Sequence, residues 1–219
     1  MKFKETRLNQ TPYPTVFYIG MGKTGSASLY YGIKSHSVAH WHNTEYYCRI
    51  HNDYRLLEND MTVYDLVEEI GQQHNFTPIV IESFRDPVAQ RLSWYFQVFK
   101  GITAKQAIHA MQSDLWQYES NLEIERSHDL HYAGDPNRLF ELIHLRFEDI
   151  ELWQEQLSLH DIDWQPTHSN KRKNYEYVKA KETLKLSQAK LEQIYFFNSI
   201  VTDLYSEQEI FKFIDKWRR

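Results

Sequence analysis

Val16-Phe17-Tyr18-Ile19-Gly20-Met21-Gly22-Lys23-Thr24-Gly25-Ser26-Ala27-Ser28-Leu29 is an apolar run that passes into a small, hydroxyl-rich turn with one lysine and then into a helical pattern. A strand, turn and helix of this composition form an anion cradle. Small residues let an anion approach the backbone, N–H groups freed at the turn face it, and the lysine and hydroxyls add charge and donors. The strict Walker A nucleotide motif fails: Gly22-Lys23-Thr24 supplies its end, but its first glycine would fall at Phe17.

A second stretch narrows the kind of anion. Pro78-Ile79-Val80-Ile81-Glu82-Ser83 reads as a buried strand, followed directly by Phe84-Arg85-Asp86-Pro87-Val88-Ala89-Gln90-Arg91-Leu92-Ser93. Asp86 is placed to cap a helix with Pro87 at its first position, which sets Arg85 at the strand's carboxyl end and Ser93 about two turns into the helix. Arg85 and Ser93 then offer a guanidinium fork and a hydroxyl to a second phosphate.

Lys-Thr-Gly-Ser-x-Ser after the first strand and Arg-Asp-Pro-x-x-x-Arg-x-Ser after a later one resemble the two signatures of sulfotransferases that use 3′-phosphoadenosine 5′-phosphosulfate (PAPS). The resemblance implies a P-loop-like fold in which Lys23, Thr24, Gly25, Ser26, Ala27 and Ser28 hold the 5′-phosphosulfate, while Arg85 and Ser93 hold the 3′-phosphate. It implies transfer of the sulfuryl group to a hydroxyl, with a carbohydrate as the expected acceptor, 3′-phosphoadenosine 5′-phosphate as product, and no metal. Position 27 is Ala where many members carry Ser or Thr, so one hydroxyl is absent from the loop. Leu142 to Ile150 looks like the late strand of the family that ends in an aromatic residue and Glu-Asp. The stretch from Asn170 to Tyr175, with the helical tail as far as Ser206, is similar to a bacterial subgroup named for capsular polysaccharide synthesis. As in the C-terminal loop of that family, Lys171 and Lys173 are candidates for the nucleotide's 3′-phosphate or adenine side, against a solvated basic run.

Sulfuryl transfer needs a base for the acceptor proton and positive charge at the leaving phosphate. Lys23 fits the second need. For the first, His40 and His42 in Ser37-Val38-Ala39-His40-Trp41-His42-Asn43-Thr44 lie two apart on a strand and face one side. That strand follows the loop's helix, so its carboxyl end opens beside the cradle. Uronyl 2-O-sulfotransferases look similar here, with a histidine base. We favour His42, nearer the strand end. The pair could instead be metal ligands with His51 and Asp53, or His40 could be structural. The aromatic residues Trp41, Tyr46, Tyr47, Trp94, Tyr95 and Phe96 offer stacking surfaces or core, and Glu82 and Glu148 are candidate second carboxylates of the site, against Glu148 as a cap of the helix that starts there.

Composition bounds the rest. The 219 residues suffice for one α/β domain, and a formal charge of −5 excludes nucleic acid as a bulk partner. The single cysteine, Cys48, excludes an internal disulfide and a multi-cysteine zinc site. No targeting segment and no run of roughly 20 apolar residues is present, so a cytoplasmic protein without a membrane span is expected.

Hydrophobic periodicity predicts strands near 15–20, 37–42, 78–84 and 141–147 and helices near 26–35, 62–73, 87–100, 103–118, 148–158 and 187–217. The expected fold is a central, mostly parallel sheet flanked by helices, with a helical C-terminal part, in one sulfotransferase-like domain over 1–219. Residues 119–138 and 160–182 lack periodicity and are candidate acceptor or lid segments. Two other functions stay open: a Mg-dependent P-loop kinase or nucleotide hydrolase, and a noncatalytic nucleotide-binding module or subunit in polysaccharide assembly.

Overall fold

All four residues of strand β2 (Val16–Ile19) are buried, and they alternate between two apolar layers. Val16 and Tyr18 join Leu29, Ile33, Val38, Ile81, Leu145, Trp153 and Trp164 on one side. Phe17 and Ile19 join Trp41, Tyr47, Val63, Tyr64, Val67 and Val80 on the other. A strand covered on both faces is near-continuously apolar, which is what its sequence reads. The computed structural model describes residues 6–9, 11–20, 22–113, 138–167 and 174–219. These fall into two compact units: one holds the described residues up to Phe84 and those of 138–167, the other Arg85 to Ser113 and those of 174–219.

In the first unit β1 (Thr6–Arg7), β2, β3 (Val38–Trp41), β4 (Ile79–Phe84) and β5 (Glu141–Arg146) form a five-stranded sheet in the order β1-β3-β2-β4-β5. β1 is antiparallel to β3, and the other pairings are parallel. The chain runs from β2 to β3 on one side and then to β4 on the other, so the strand order reverses at β2. In open α/β sheets the crevice at such a reversal, outside the strands' carboxyl ends, is where ligands bind. Helix α1 (Ser26–Gly32) and α7 (Trp153–Ser158) cover one face; α2 (Thr44–His51), α3 (Arg55–Glu58) and α4 (Val63–His74) cover the other. Local chemistry starts these helices. Asn43 accepts the Tyr46 N–H at the head of α2, and Thr62 and Asp65 form a reciprocal capping box on α4.

The second unit is helical: α5 (Pro87–Val98), α6 (Ala104–Gln112), α8 (Tyr175–Thr183), α9 (Gln188–Phe196), α10 (Ser199–Leu204) and α11 (Glu207–Trp217). Its core gathers Val88, Leu92, Tyr95, Ala107, Met111, Leu191, Tyr195, Ile214 and Trp217.

The architecture is thus α/β, with a mostly parallel five-stranded sheet flanked by helices. Several elements differ from expectation. The helix expected over 187–217 is three helices, because Asn198 and Ser206 each turn a side-chain acceptor onto a new helix N-terminus. The one expected over 103–118 ends at Gln112, where Ser113 turns extended, and 114–118 lie outside the described residues. That expected over 148–158 begins as a 3-10 turn (Phe147–Leu152) before α7, with Asp149 off helical geometry. β1, α2 and α3 are elements the periodicity did not reveal, since each is shorter than the window in which a period emerges. Of the two aperiodic segments, 119–137 and 168–173 lie outside the described residues, and α8 occupies about half of the remainder of 160–182.

Candidate functional site

The loop between β2 and α1 lies at the carboxyl ends of β2 and β4 and is held at both ends. At its far end Gly25 has φ 100°, open to glycine, and a Cβ there would come within 2.5 Å of Trp153. Trp153 in turn donates its indole N–H to the Arg146 carbonyl, so α1 starts wedged against α7. Lys23 sits at φ 75°, a left-handed conformation that costs a non-glycine residue on the order of 1 kcal/mol and persists only where neighbours enforce it. Its neighbour Thr24 is fully buried, with its hydroxyl 2.9 Å from the Tyr18 hydroxyl and 2.8 Å from that of Ser83. Tyr18 and Ser83 are themselves 2.7 Å apart.

Of the loop residues expected to meet an anion, Lys23, Gly25, Ala27 and Ser28 are half-buried, and Ser26 is 9% exposed. Thr24 directs its hydroxyl inward. Gly22 is open: a Cβ there would meet only His42 Cε1, at 3.9 Å.

The two histidines occupy unlike environments. His40, at the end of β3, is ringed by Tyr18, Tyr30 and His42 at 4.8–5.6 Å between centroids. Burial, reinforced by His42 beside it, pushes its imidazole down to about 3, so it is neutral at ordinary pH and a weak base. His42 lies just past the strand, half-buried, with Nδ1 2.8 Å from the Gly20 carbonyl. A carbonyl only accepts, so Nδ1 carries the hydrogen and the neutral ring's lone pair is on Nε2. The ring is therefore tied to the start of the same loop that carries Lys23.

On the opposite face of β4 the buried carboxylate of Glu82 accepts from the Tyr64 hydroxyl and lies 3.0 Å from His144 Nε2. Glu148 is exposed in the 3-10 turn. The alternative metal partners of the histidines are otherwise engaged: His51 Nδ1 donates to the Tyr47 carbonyl, and Arg55 grips both oxygens of Asp53. Among the described residues no three His, Cys, Asp or Glu side chains are grouped to hold a metal ion. Trp41 and Tyr47 are core residues, while Tyr46 packs edge-on to His42 at 4.6 Å.

In the second unit, Asp86 caps α5 through the Val88 and Ala89 N–H groups, and Pro87 takes the first helical position. Arg85 is half-buried and Ser93 is 7% exposed. Tyr95 and Phe96 are core, and Arg91 stacks on Trp94 at 4.6 Å. Asp86 is 1% exposed and also accepts from the Tyr195 hydroxyl, the Trp217 indole N–H and Lys216. Lys171 and Lys173 lie outside the described residues.

Tyr18, Gly20 and Ser83 are the site residues that sequence reading missed. The available signal was a lone tyrosine in an otherwise aliphatic and Phe-containing strand, whose period-2 partners face the same layer as Ser83. Among the described residues no helix is long and apolar enough to cross a membrane. No family model, curated protein or solved structure matches the chain.

Proposed function

We propose that the protein is a sulfotransferase of the P-loop-like class that moves the sulfuryl group of PAPS to a hydroxyl, with a carbohydrate acceptor such as a surface polysaccharide. One observation carries this reading most: His42 is anchored through Nδ1 to Gly20, at the start of the loop that also holds Lys23, and this leaves the lone pair of the neutral ring on Nε2. Support for a donor site comes from the position of that loop at the strand-order reversal, where such sheets bind ligands. The small residues 22 and 25–28 and the Lys23 cation fit an anionic group there.

In this reaction His42 Nε2 takes the acceptor's hydroxyl proton while the oxygen forms a bond to sulfur. The bond from sulfur to the phosphate oxygen breaks, and that oxygen keeps the electron pair. Lys23 neutralises the charge that gathers on the leaving phosphate. His40, held neutral, lines the site without needing to accept the proton. By the sequence resemblance, Arg85 and Ser93 take the 3′-phosphate, and Arg85→Ala weakens nucleotide binding by about 1–3 kcal/mol.

Calorimetric titration with 3′-phosphoadenosine 5′-phosphate, ADP and ATP, with and without Mg²⁺, tests the proposal. Metal-independent binding selective for the 3′-phosphorylated nucleotide supports it. Preference for Mg-ATP moves the assignment to a kinase or hydrolase, and no binding favours a noncatalytic role.

A further inference from the structure

We propose that Tyr18 is a positioning residue: with Thr24 and Ser83 it forms a ring of hydroxyls that sets the loop carrying Lys23 and, through Gly20, the station of His42. The inference rests on the reading of that loop as the donor's phosphate cradle, and it assigns a role to Tyr18 and Ser83, which neither sequence motif contains.

The ring ties the loop at Thr24, which no strand pairing holds, to the two paired strands beside it: to β2 at Tyr18, whose register partner is Ile81, and to β4 at Ser83, two residues further on. Its members are 0%, 0% and 1% exposed, and their three mutual separations are 2.9, 2.7 and 2.8 Å. Burying hydroxyls is costly unless they bond, so three of them in an apolar layer tolerate only arrangements that keep these contacts. Apolar side chains of similar shape would fill the same volume without that restriction. Burial pushes the Tyr18 hydroxyl up to about 12, its bonds to Ser83 and Thr24 moderating the rise. It therefore stays a donor across any assay range.

Two features beside the ring give it something to position. Thr24 immediately follows Lys23, whose left-handed φ of 75° needs enforcement from a neighbour. Gly20 lies against the ring on the other side: a Cβ there would sit 3.3 Å from the Tyr18 hydroxyl oxygen and 3.7 Å from the Ser83 nitrogen. The Gly20 carbonyl is the group that holds His42. Tyr18 thus stands behind both the cation and the base without itself touching the reacting atoms.

The test compares Tyr18→Phe, Thr24→Val, their double variant, and the hydroxyl-preserving Thr24→Ser. Titration with 3′-phosphoadenosine 5′-phosphate should show each single removal weakening binding about tenfold, the double variant no more than about twofold further, and Thr24→Ser near wild type. The ring nitrogens of His42, followed by NMR, should lose their fixed tautomer in Tyr18→Phe, a change that loosened packing elsewhere would not produce. Wild-type nucleotide affinity together with unchanged His42 signals in Tyr18→Phe overturns the proposal. Should the unaltered protein not bind the nucleotide, the donor assignment falls, and amide exchange at Gly22 to Ser26 then decides alone: faster exchange in Tyr18→Phe upholds the positioning role, unchanged exchange ends it. If Tyr18→Phe does not fold, Ser83→Ala carries the same comparisons.

Discussion

His42 donates its Nδ1–H to the carbonyl of Gly20 at 2.8 Å, which joins a side chain just past β3 to the first residue of the loop that carries Lys23. This bond decides which ring nitrogen is basic. An asparagine at 42 can keep a donor for Gly20 but has no base. His42→Asn is therefore expected to fold with little change in melting temperature, to bind 3′-phosphoadenosine 5′-phosphate as the unaltered protein does, and to lose turnover by about a hundredfold or more. Stability, titration and rate measured on one preparation check all three.

Lys23 separates charge from strain. Both Lys23→Ala and Lys23→Gly remove the cation and should depress turnover strongly. Only glycine accepts φ 75° freely, so Lys23→Gly should be more stable than Lys23→Ala by on the order of 1 kcal/mol in urea unfolding. Equal stabilities would mean that the loop relaxes its backbone in the alanine variant.

Asp86 holds the second unit together more than its place in a short motif suggests. Its buried carboxylate receives two backbone N–H groups, the Tyr195 hydroxyl, the Trp217 indole at 2.8 Å and Lys216 at 3.2 Å. Asp86→Ala leaves several of these donors buried without an acceptor and is expected to cost about 3–5 kcal/mol. Trp217→Phe keeps the ring but loses one donor, and should cost about 1–2 kcal/mol. Denaturant melts followed by helix content read both values.

His40 gives acid sensitivity a defined sign. Its folded pKa of about 3 lies below the ordinary 6.5, so between the two values the unfolded chain binds a proton that the native ring does not. Its contribution to stability is whole above pH 6.5 and is lost progressively as the pH falls toward 3. Allowing for the ring's partial exposure, the loss is about 1 kcal/mol between pH 6.5 and pH 5. His40→Gln, compared with the unaltered protein across that range, should flatten the dependence; an unchanged slope would place the sensitivity elsewhere.

Much of the fold was legible because its signals are local. The aliphatic run of β4 and the apolar run of β2 announce buried strands, and Asp86-Pro87 announces a helix start within one turn of itself. The same locality explains the misses. Asn198 and Ser206 carry cap signals as plain as those of Thr62, but an amphipathic pattern running through them outweighed two single residues, and one long helix was expected where three stand. At the candidate site, Lys23 and the small residues around it stood out by composition. Thr24 read as a ligand hydroxyl, since nothing within a few positions reveals that it faces Tyr18 and Ser83.

By itself the sequence determined where β2 to β5 and helices α1, α4, α5 and α6 begin, that the sheet is mostly parallel because helices separate its strands, and that a cationic, glycine-rich loop stands at the end of one strand. Those properties depend on backbone geometry, side-chain periodicity and caps, which act over a few residues. Tertiary structure alone decided which polar groups meet. Gly20 and His42 are 22 positions apart, Tyr18 and Ser83 are 65 apart, and Asp86 and Trp217 are 131 apart. Such pairings follow from strand register and from how helices seat on their core, and each requires a buried donor to find an acceptor once water is excluded.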